Sequence, residues 1–149
     1  MNNSQLSIDD VKAKIPELLE QVPYLKLLVL FGSRAREDNQ ESSDWDFAML
    51  FDEDLRKQHE SGGWDSYRSL TILQNLLDLS DNEMDWVDLK NASEITAHCI
   101  ARDGLVLYES TTGCSVAFRQ TALKSQVELK LYRQSIRAKV HEALERWRA

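Results

Sequence analysis

Apolar residues in the first fifty positions predict one helix followed by two strands. Five of them recur at the three- and four-residue spacing of an amphipathic helix: Val11, Ile15, Leu18, Leu19 and Val22. Ser7 followed by Asp10 has the pattern of a capping box, so we expect the helix to begin there, with Pro16 as a kink or restart point. The short apolar runs at residues 24–31 and 46–51 are typical of buried strands.

The middle of the chain predicts further helices and strands. The acidic, polar residues 52–65 predict a loop that Gly62 and Gly63 make mobile. The other predicted elements are a helix within residues 66–79, a strand over 83–89, a short helix over 93–103 that ends before Gly104, and a short strand over 105–108.

The segment from residue 115 onward predicts one long helix. Its apolar residues form a broad stripe among basic residues: Val116, Leu123, Val127, Leu131, Ile136, Val140, Leu144 and Trp147. Two interpretations stay open, because such a stripe is typical both of a helix that packs on its own domain and of an arm that docks a partner protein.

Length and composition narrow the class of protein. A chain of 149 residues fits one compact domain. No apolar stretch reaches the roughly 18 to 20 residues that cross a bilayer, and the first residues do not have the pattern of a secretion signal. We therefore expect a cytoplasmic protein with no membrane partner. Cys99 and Cys114 lack C-x-x-C spacing and are expected to be free structural thiols.

The distribution of charge divides the chain in two. The formal net charge of -7 argues against direct nucleic-acid binding, because phosphate backbones are held by clustered Lys and Arg. Residues 1–114 carry 10 basic and 22 acidic residues, whereas residues 115–149 carry 8 basic and 3 acidic ones. The C-terminal segment therefore presents a different surface from the rest.

Two aspartates one residue apart, Asp44 and Asp46, begin the second predicted strand. Side chains alternate along a strand, so both carboxylates are expected on one side and Trp45 on the other, in the core. Two close carboxylates repel each other unless a cation neutralises them, and hard oxygen ligands suit Mg²⁺. The alternative is a solvated acidic turn.

A phosphate-binding turn is predicted at the end of the first strand, at Gly32 and Ser33. A glycine there lets the backbone approach a ligand closely, and the Ser33 hydroxyl can add a donor. Arg34 and Arg36 lie in the same turn, and of the two Arg36 is the preferred phosphate contact.

The spacing of these residues resembles the signature of DNA polymerase β type nucleotidyltransferases, which is Gly-Ser, a spacer of about ten residues, and Asp-x-Asp. The spacer here is residues 34–43. With "FGSRAR", "SDWDFAML", "MDWVDL" and "ARDGLVLYE", the chain is similar over residues 10–110 to minimal nucleotidyltransferase (MNT) proteins, the antitoxins of HEPN/MNT toxin–antitoxin pairs.

The resemblance implies an α/β (α+β) fold of the polymerase β palm type. A small mixed sheet with flanking helices would form a nucleotidyltransferase domain over residues 1–112, followed by a C-terminal helical extension over residues 113–149.

The resemblance also implies a third carboxylate on a neighbouring strand, and the matching position is Asp85. Strand parity alone leaves the choice open, because Asp85 and Asp88 would face opposite sides of the sheet; Asp88 is the alternative. The implied site then has a catalytic set that holds two Mg²⁺ ions, Asp44, Asp46 and Asp85, and a nucleotide-binding set, Gly32, Ser33 and Arg36.

The implied reaction is the transfer of AMP from ATP to a tyrosine hydroxyl of a HEPN ribonuclease toxin, with release of pyrophosphate. Two alternatives remain: an antitoxin that only binds its toxin, and a small-molecule nucleotidyltransferase of the aminoglycoside-modifying kind. Glu37 departs from the pattern, since the family often has Gly there, and this puts the affinity for the nucleotide in question.

Other residues carry weaker signals. His59, His98 and His141 have no zinc-ligand spacing and are expected to be structural or surface residues. Trp64 and Tyr67 are able to stack a nucleotide base, but an aromatic residue at a helix start more often packs on the core.

Overall fold

The computed structural model describes residues 6–60 and 67–148. The strands are β1 (Leu25–Phe31), β2 (Trp45–Phe51), β3 (Met84–Asp88) and β4 (Leu105–Glu109). The helices are α1 (Ile8–Gln21), α2 (Ser33–Arg36), α3 (Glu53–His59), α4 (Arg68–Leu77), α5 (Glu94–Asp103), α6 (Cys114–Ala122) and α7 (Gln126–Arg148). None of the described helices combines the length and apolar character needed to cross a membrane. The predicted mobile glycines, Gly62 and Gly63, and the aromatic candidate Trp64 lie outside the described residues.

The strands form one mixed sheet in the order β3-β2-β1-β4. β1 runs antiparallel to both β2 and β4, whereas β2 and β3 are parallel. A parallel pair needs a crossover connection, and here the chain between β2 and β3 contains α3 and α4. The predicted mixed sheet with flanking helices is confirmed.

Each face of the sheet has its own apolar core. One core joins alternate residues of β1 and β2, such as Leu28 and Phe47, to α1 and α4. The other joins Val29 and Ala48 to Ile100 of α5, with Phe118 of α6 packed against it. Because Asp46 is two residues before Ala48, its side chain shares the face of the sheet that α5 and α6 cover.

The start of α1 is the capping box predicted from the sequence. The Asp10 amide donates to the Ser7 hydroxyl at 3.1 Å, and the Ser7 amide donates to the Asp10 carboxylate at 2.9 Å. The predicted restart at Pro16 does not occur, since α1 continues through this residue to Gln21. Core contacts of Ile15 and Leu18, both buried, hold the helix on either side of the proline.

Helix α3 was not predicted, because it lies in a stretch expected to be loop and buries none of its residues. Asp52 caps its N-terminus by accepting a hydrogen bond from the Leu55 amide at 3.2 Å. Arg56 then attaches the helix to the sheet through Asp88 at 2.8 Å, and also pairs with Glu60 at 3.1 Å. A polar helix held by ion pairs has no apolar periodicity for sequence analysis to detect.

The predicted single C-terminal helix is instead two helices, α6 and α7, separated by residues 123–125. A second capping box begins α7, in which Ser125 and Glu128 exchange hydrogen bonds of 3.1 and 3.2 Å. The buried His98 accepts a hydrogen bond from the Lys124 amide at 2.9 Å and so fixes the break against α5. The apolar stripe concealed this break, although Ser-x-x-Glu is a recognisable start signal.

Candidate active site

A tight turn after β1 brings the Gly-Ser pair against the first residues of β2. Phe31 is the register partner of Asp46, so Gly32 follows directly beside this aspartate. Gly32 has a φ of 74°, a left-handed conformation that favours glycine, and any Cβ there would overlap the Asp46 carboxylate. The amides of Ala35 and Arg36 then donate to the Gly32 carbonyl, both at 3.2 Å. The backbone of the turn therefore lies directly against a carboxylate.

Asp46 and Asp85 are direct register partners on the parallel strands β2 and β3. Asp44 lies two positions before Asp46, just ahead of β2, and is exposed, as is Asp85. Burial is the main reason that the pKa of Asp46 rises from 3.8 to about 6, followed by the charges of Asp85 and Asp44. The fold thus places three mutually repelling carboxylates together at the N-terminal ends of β2 and β3.

Asp46→Asn is expected to stabilise the nucleotide-free protein at neutral pH. A carboxyl group whose pKa is higher when folded binds its proton more tightly in the folded state, so its stabilising contribution is lost as the pH rises from about 3.8 to about 6. Allowing for solvent screening of a partly exposed group, the Asn variant should gain about 1 kcal/mol at pH 7. Thermal melts from pH 4 to pH 8 measure this gain. A difference in Tm that does not grow between pH 4 and pH 6 would contradict it.

Asp88, the alternative third carboxylate, is bound by groups that lie outside the site. Its carboxylate binds the Arg56 guanidinium at 2.8 Å and accepts a hydrogen bond from the Lys90 amide at 3.1 Å. Strand parity places Asp88 on the face opposite Asp85. The structure therefore brings Asp85, and not Asp88, to the other two aspartates.

Arg34 is buried in the spacer between the two halves of the motif, a position that sequence analysis ranked below Arg36. Its guanidinium donates to the Ser43 carbonyl at 2.8 and 3.1 Å and to the Glu41 carbonyl at 3.3 Å. It also lies 4.4 Å from the ring centroid of Trp45, which points into the core as predicted. Burial lowers the pKa of Arg34, while the charges of Asp44 and Asp46 oppose that shift. Arg34 therefore ties both ends of the spacer together beside the carboxylates.

Arg36 and Glu37 occupy the exposed rim of the turn. Arg36 pairs with Asp38 at 3.1 Å, and its charge acts on Asp46 in the direction that lowers the pKa of that carboxyl. Glu37 ends α2 with a φ of 64°. This left-handed conformation supplies a physical reason for the glycine that the family often has at this position.

The remaining candidates lie away from the carboxylates. His59 stacks on Tyr24, and His141 is 3.6 Å from Glu145 on α7. Tyr67 is half exposed and its ring packs against Trp86 with a centroid distance of 6.4 Å. Tyr67 therefore has the contact expected of an aromatic residue at a helix start.

The Mg²⁺ that the resemblance implies would be bound by the carboxylates of Asp44, Asp46 and Asp85. Within residues 6–60 and 67–148, no group of three or more His, Cys, Asp or Glu side chains is placed to hold a metal ion. Magnesium is usually held by one or two carboxylates together with substrate phosphates and water, and a dedicated protein cage is not required. The adjacent Asp46 and Asp85, with the exposed Asp44 just before β2, fit a cation shared in that way, and the cation would relieve the repulsion among the three carboxylates.

Several known proteins are similar to this chain in sequence. The family model described as polymerase beta, nucleotidyltransferase matches residues 13–112. A protein adenylyltransferase MntA of Aphanizomenon flos-aquae is 37% identical over 131 residues, which are 87% of this chain and 87% of the relative. A protein of the same name from Shewanella oneidensis is 30% identical over 96 residues, 64% of this chain and 63% of the relative.

Several solved structures contain a chain with a similar fold. A toxin–antitoxin crystal structure with AMP-PNP has a chain that is 24% identical, with a TM-score of 0.59 over 93% of this chain and 98% of that one. A complex of tri-AMPylated Shewanella oneidensis HEPN toxin with MNT antitoxin has a chain that is 22% identical, with a TM-score of 0.57 over 96% of this chain and 100% of that one. At these identities the likeness supports the fold. The family match and the 37% identical relative place the chain in the polymerase β nucleotidyltransferase family, among the MntA protein adenylyltransferases.

Proposed function

We propose that this protein is an antitoxin that transfers AMP from ATP to a tyrosine hydroxyl of a companion HEPN-domain ribonuclease toxin. The observation that carries the proposal is the direct register of Asp46 with Asp85, next to a glycine turn that lies against the same carboxylate. Both curated relatives are named protein adenylyltransferases, and a solved relative is bound to an AMPylated HEPN toxin.

Each part of the site has a task in this reaction. Gly32 lets the triphosphate approach the backbone, and Ser33 and Arg36 offer a hydroxyl donor and a positive charge to its oxygens. Asp44, Asp46 and Asp85 would hold two Mg²⁺ ions, which when bound neutralise the triphosphate and favour the ionised form of the attacking hydroxyl. Arg34 keeps Asp44 and the spacer in place without contacting the nucleotide.

The chemical step is an in-line displacement at the α-phosphorus. The tyrosine oxygen forms a bond to phosphorus while the bond to the bridging oxygen breaks, and pyrophosphate leaves. The phenolic proton passes to Asp85, which is exposed and therefore open to an acceptor presented by another protein. A phenol has an unperturbed pKa near 10, so it gives up its proton far more readily than an aliphatic hydroxyl.

The charge and size of the added AMP explain how the toxin would be inhibited. It would place a negatively charged phosphodiester and an adenosine near the RNA-cutting site of the toxin, and so repel and block the RNA backbone. The cytoplasm, which supplies ATP and keeps Cys99 and Cys114 reduced, is the proposed location; both are free thiols in the structure.

Co-expression with the protein of the neighbouring open reading frame tests the proposal. Intact-mass analysis should show that protein heavier by one or more AMP units, and the added mass should disappear with Asp44→Asn. If the partner is unmodified yet inhibited equally by wild type and Asp44→Asn, the protein acts by binding alone and the proposed transfer is wrong.

A further inference from the structure

One face of α7 carries an apolar stripe that the rest of the domain covers only at its start. The members are spaced by seven, four, four and three residues, which places them on one side of a helix: Leu129, Ile136, Val140, Leu144 and Trp147. Leu129 is 6% exposed, but exposure then increases to 40% at Ile136, 53% at Val140 and 85% at Trp147. We name these five residues the α7 stripe.

The buried start of the α7 stripe forms one wall of a groove against α5. The groove has a volume of about 380 Å³, and its apolar lining includes Ile95, Leu129 and Ile136. Arg102, Arg133 and Arg137 also line it. A concave apolar surface that continues into an exposed helix face has the shape of a site for another helix.

Charges along α7 are sorted around the stripe. At about 100° per residue, basic side chains fall on both of its flanks: Lys130, Arg137 and Arg148 on one side, and Lys139 and Arg146 on the other. Arg133 lies within the arc of the stripe, beside the groove. Glu142 and Glu145 fall on the opposite face of the helix. Neither Arg133 nor Arg137 has an ion-pair partner among residues 6–60 and 67–148. Glu128, in the first turn of α7, is the acidic residue on a flank. Beyond that turn, the stripe is an apolar surface with a positive border.

We propose that the α7 stripe and its groove dock a helix of the companion toxin whose apolar face is bordered by Asp and Glu. This inference rests on the proposed function, because that function requires a protein acceptor. Because the stripe has a basic border, the bound helix is expected to carry acidic residues beside its apolar face. Because the stripe residues are three or four positions apart, the apolar residues of the bound helix are expected at every third or fourth position. A flat anionic bilayer would also attract a basic amphipathic helix, but it would not fill the concave groove between α5 and α7.

The chain offers a matched pair of substitutions to test the docking surface. Leu144 lies in the stripe and is 49% exposed, whereas Leu131 lies on the opposite face of the same helix and is 59% exposed. Binding to the purified toxin should be measured by titration calorimetry in an Asp44→Asn background, so that AMP transfer does not alter the partner. Leu144→Asp should weaken binding by about tenfold or more, and Leu131→Asp should leave it within about twofold.

Two further measurements separate the outcomes. Arg137→Glu should weaken binding and reduce its dependence on salt. If Leu144→Asp and Leu131→Asp bind the toxin equally well while wild type still transfers AMP, the docking surface is wrong and the proposed function stands. If wild type neither binds nor modifies the toxin, the proposed function fails and the docking surface fails with it. Sedimentation with phosphatidylserine vesicles tests the membrane alternative. If wild type sediments with the vesicles and Leu144→Asp does not, while both bind the toxin equally well, the stripe is a membrane-binding surface and the inference is overturned.

Discussion

Asp85→Asn should lower the rate of AMP transfer by about two to three orders of magnitude, because it removes both a candidate cation ligand and the proton acceptor. Asp85 is exposed and is the register partner of Asp46, so the loss should come without a loss of stability. Asp88→Asn, three residues along the same strand, should lower the stability of the protein and leave the rate of AMP transfer nearly unchanged. It removes the carboxylate that holds Arg56 at 2.8 Å, which should cost about 1 to 2 kcal/mol of stability while transfer stays within about twofold of wild type.

A time course of toxin modification followed by intact mass, with thermal melts of each variant, measures both effects. The same melts in Mg-ATP should show a gain in Tm for wild type and Asp88→Asn, and a much smaller gain for Asp85→Asn. Equal loss of transfer in the two variants would remove the distinction between the two aspartates on which the site is built.

Gly32→Ala should reduce AMP transfer by at least about a hundredfold, because the new methyl group would occupy the position of the Asp46 carboxylate. Gly113 supplies the matched control. It also has positive φ, 97°, but a Cβ there has nothing within 4 Å. Both variants place an alanine at positive φ, which costs about 1 kcal/mol at Gly113 and more at Gly32, where the ψ of -159° belongs to a region almost restricted to glycine. Only Gly32→Ala also displaces a carboxylate.

The comparison of Gly32→Ala with Gly113→Ala separates a general effect of an alanine at positive φ from an effect at the site itself. Guanidinium melts should show a larger loss of stability for Gly32→Ala, and the transfer assay should show normal activity for Gly113→Ala. If Gly32→Ala transfers AMP at the wild-type rate, the turn does not hold the triphosphate and the nucleotide site has been assigned to the wrong loop.

Local patterns in the sequence were sufficient to predict most elements of the domain. The strands and the capping box of α1 depend on short apolar runs and on a four-residue signal, so they could be located without knowledge of the fold. The choice between Asp85 and Asp88 could not be made this way from the residues alone. It depends on how β3 aligns with β2, and that alignment is a tertiary property.

Other features went unpredicted because the contacts that stabilise them form no recognisable pattern in the sequence. Arg34 is buried only because the spacer folds back and offers the carbonyl groups of Glu41 and Ser43 to its guanidinium. The break before α7 has a local signal, the Ser125–Glu128 capping box, but it is also fixed by His98, which lies 26 residues before Lys124. In both cases the residue itself is ordinary, and the fold supplies the partner that gives it a structural role.

The parallel pairing of β2 and β3 also bears on how the protein can vary in evolution. The three aspartates come from two short strand segments, and the connection between them passes through α3 and α4 before it returns to the sheet. Insertions or deletions in that connection would change its length without moving Asp85, provided that the pairing of Asp46 with Asp85 is kept. A one-residue deletion inside β3 would instead turn Asp85 to the opposite face of the sheet. We therefore expect homologous chains to differ freely in length between residues 52 and 83, and to have constant length within the strands that carry the aspartates.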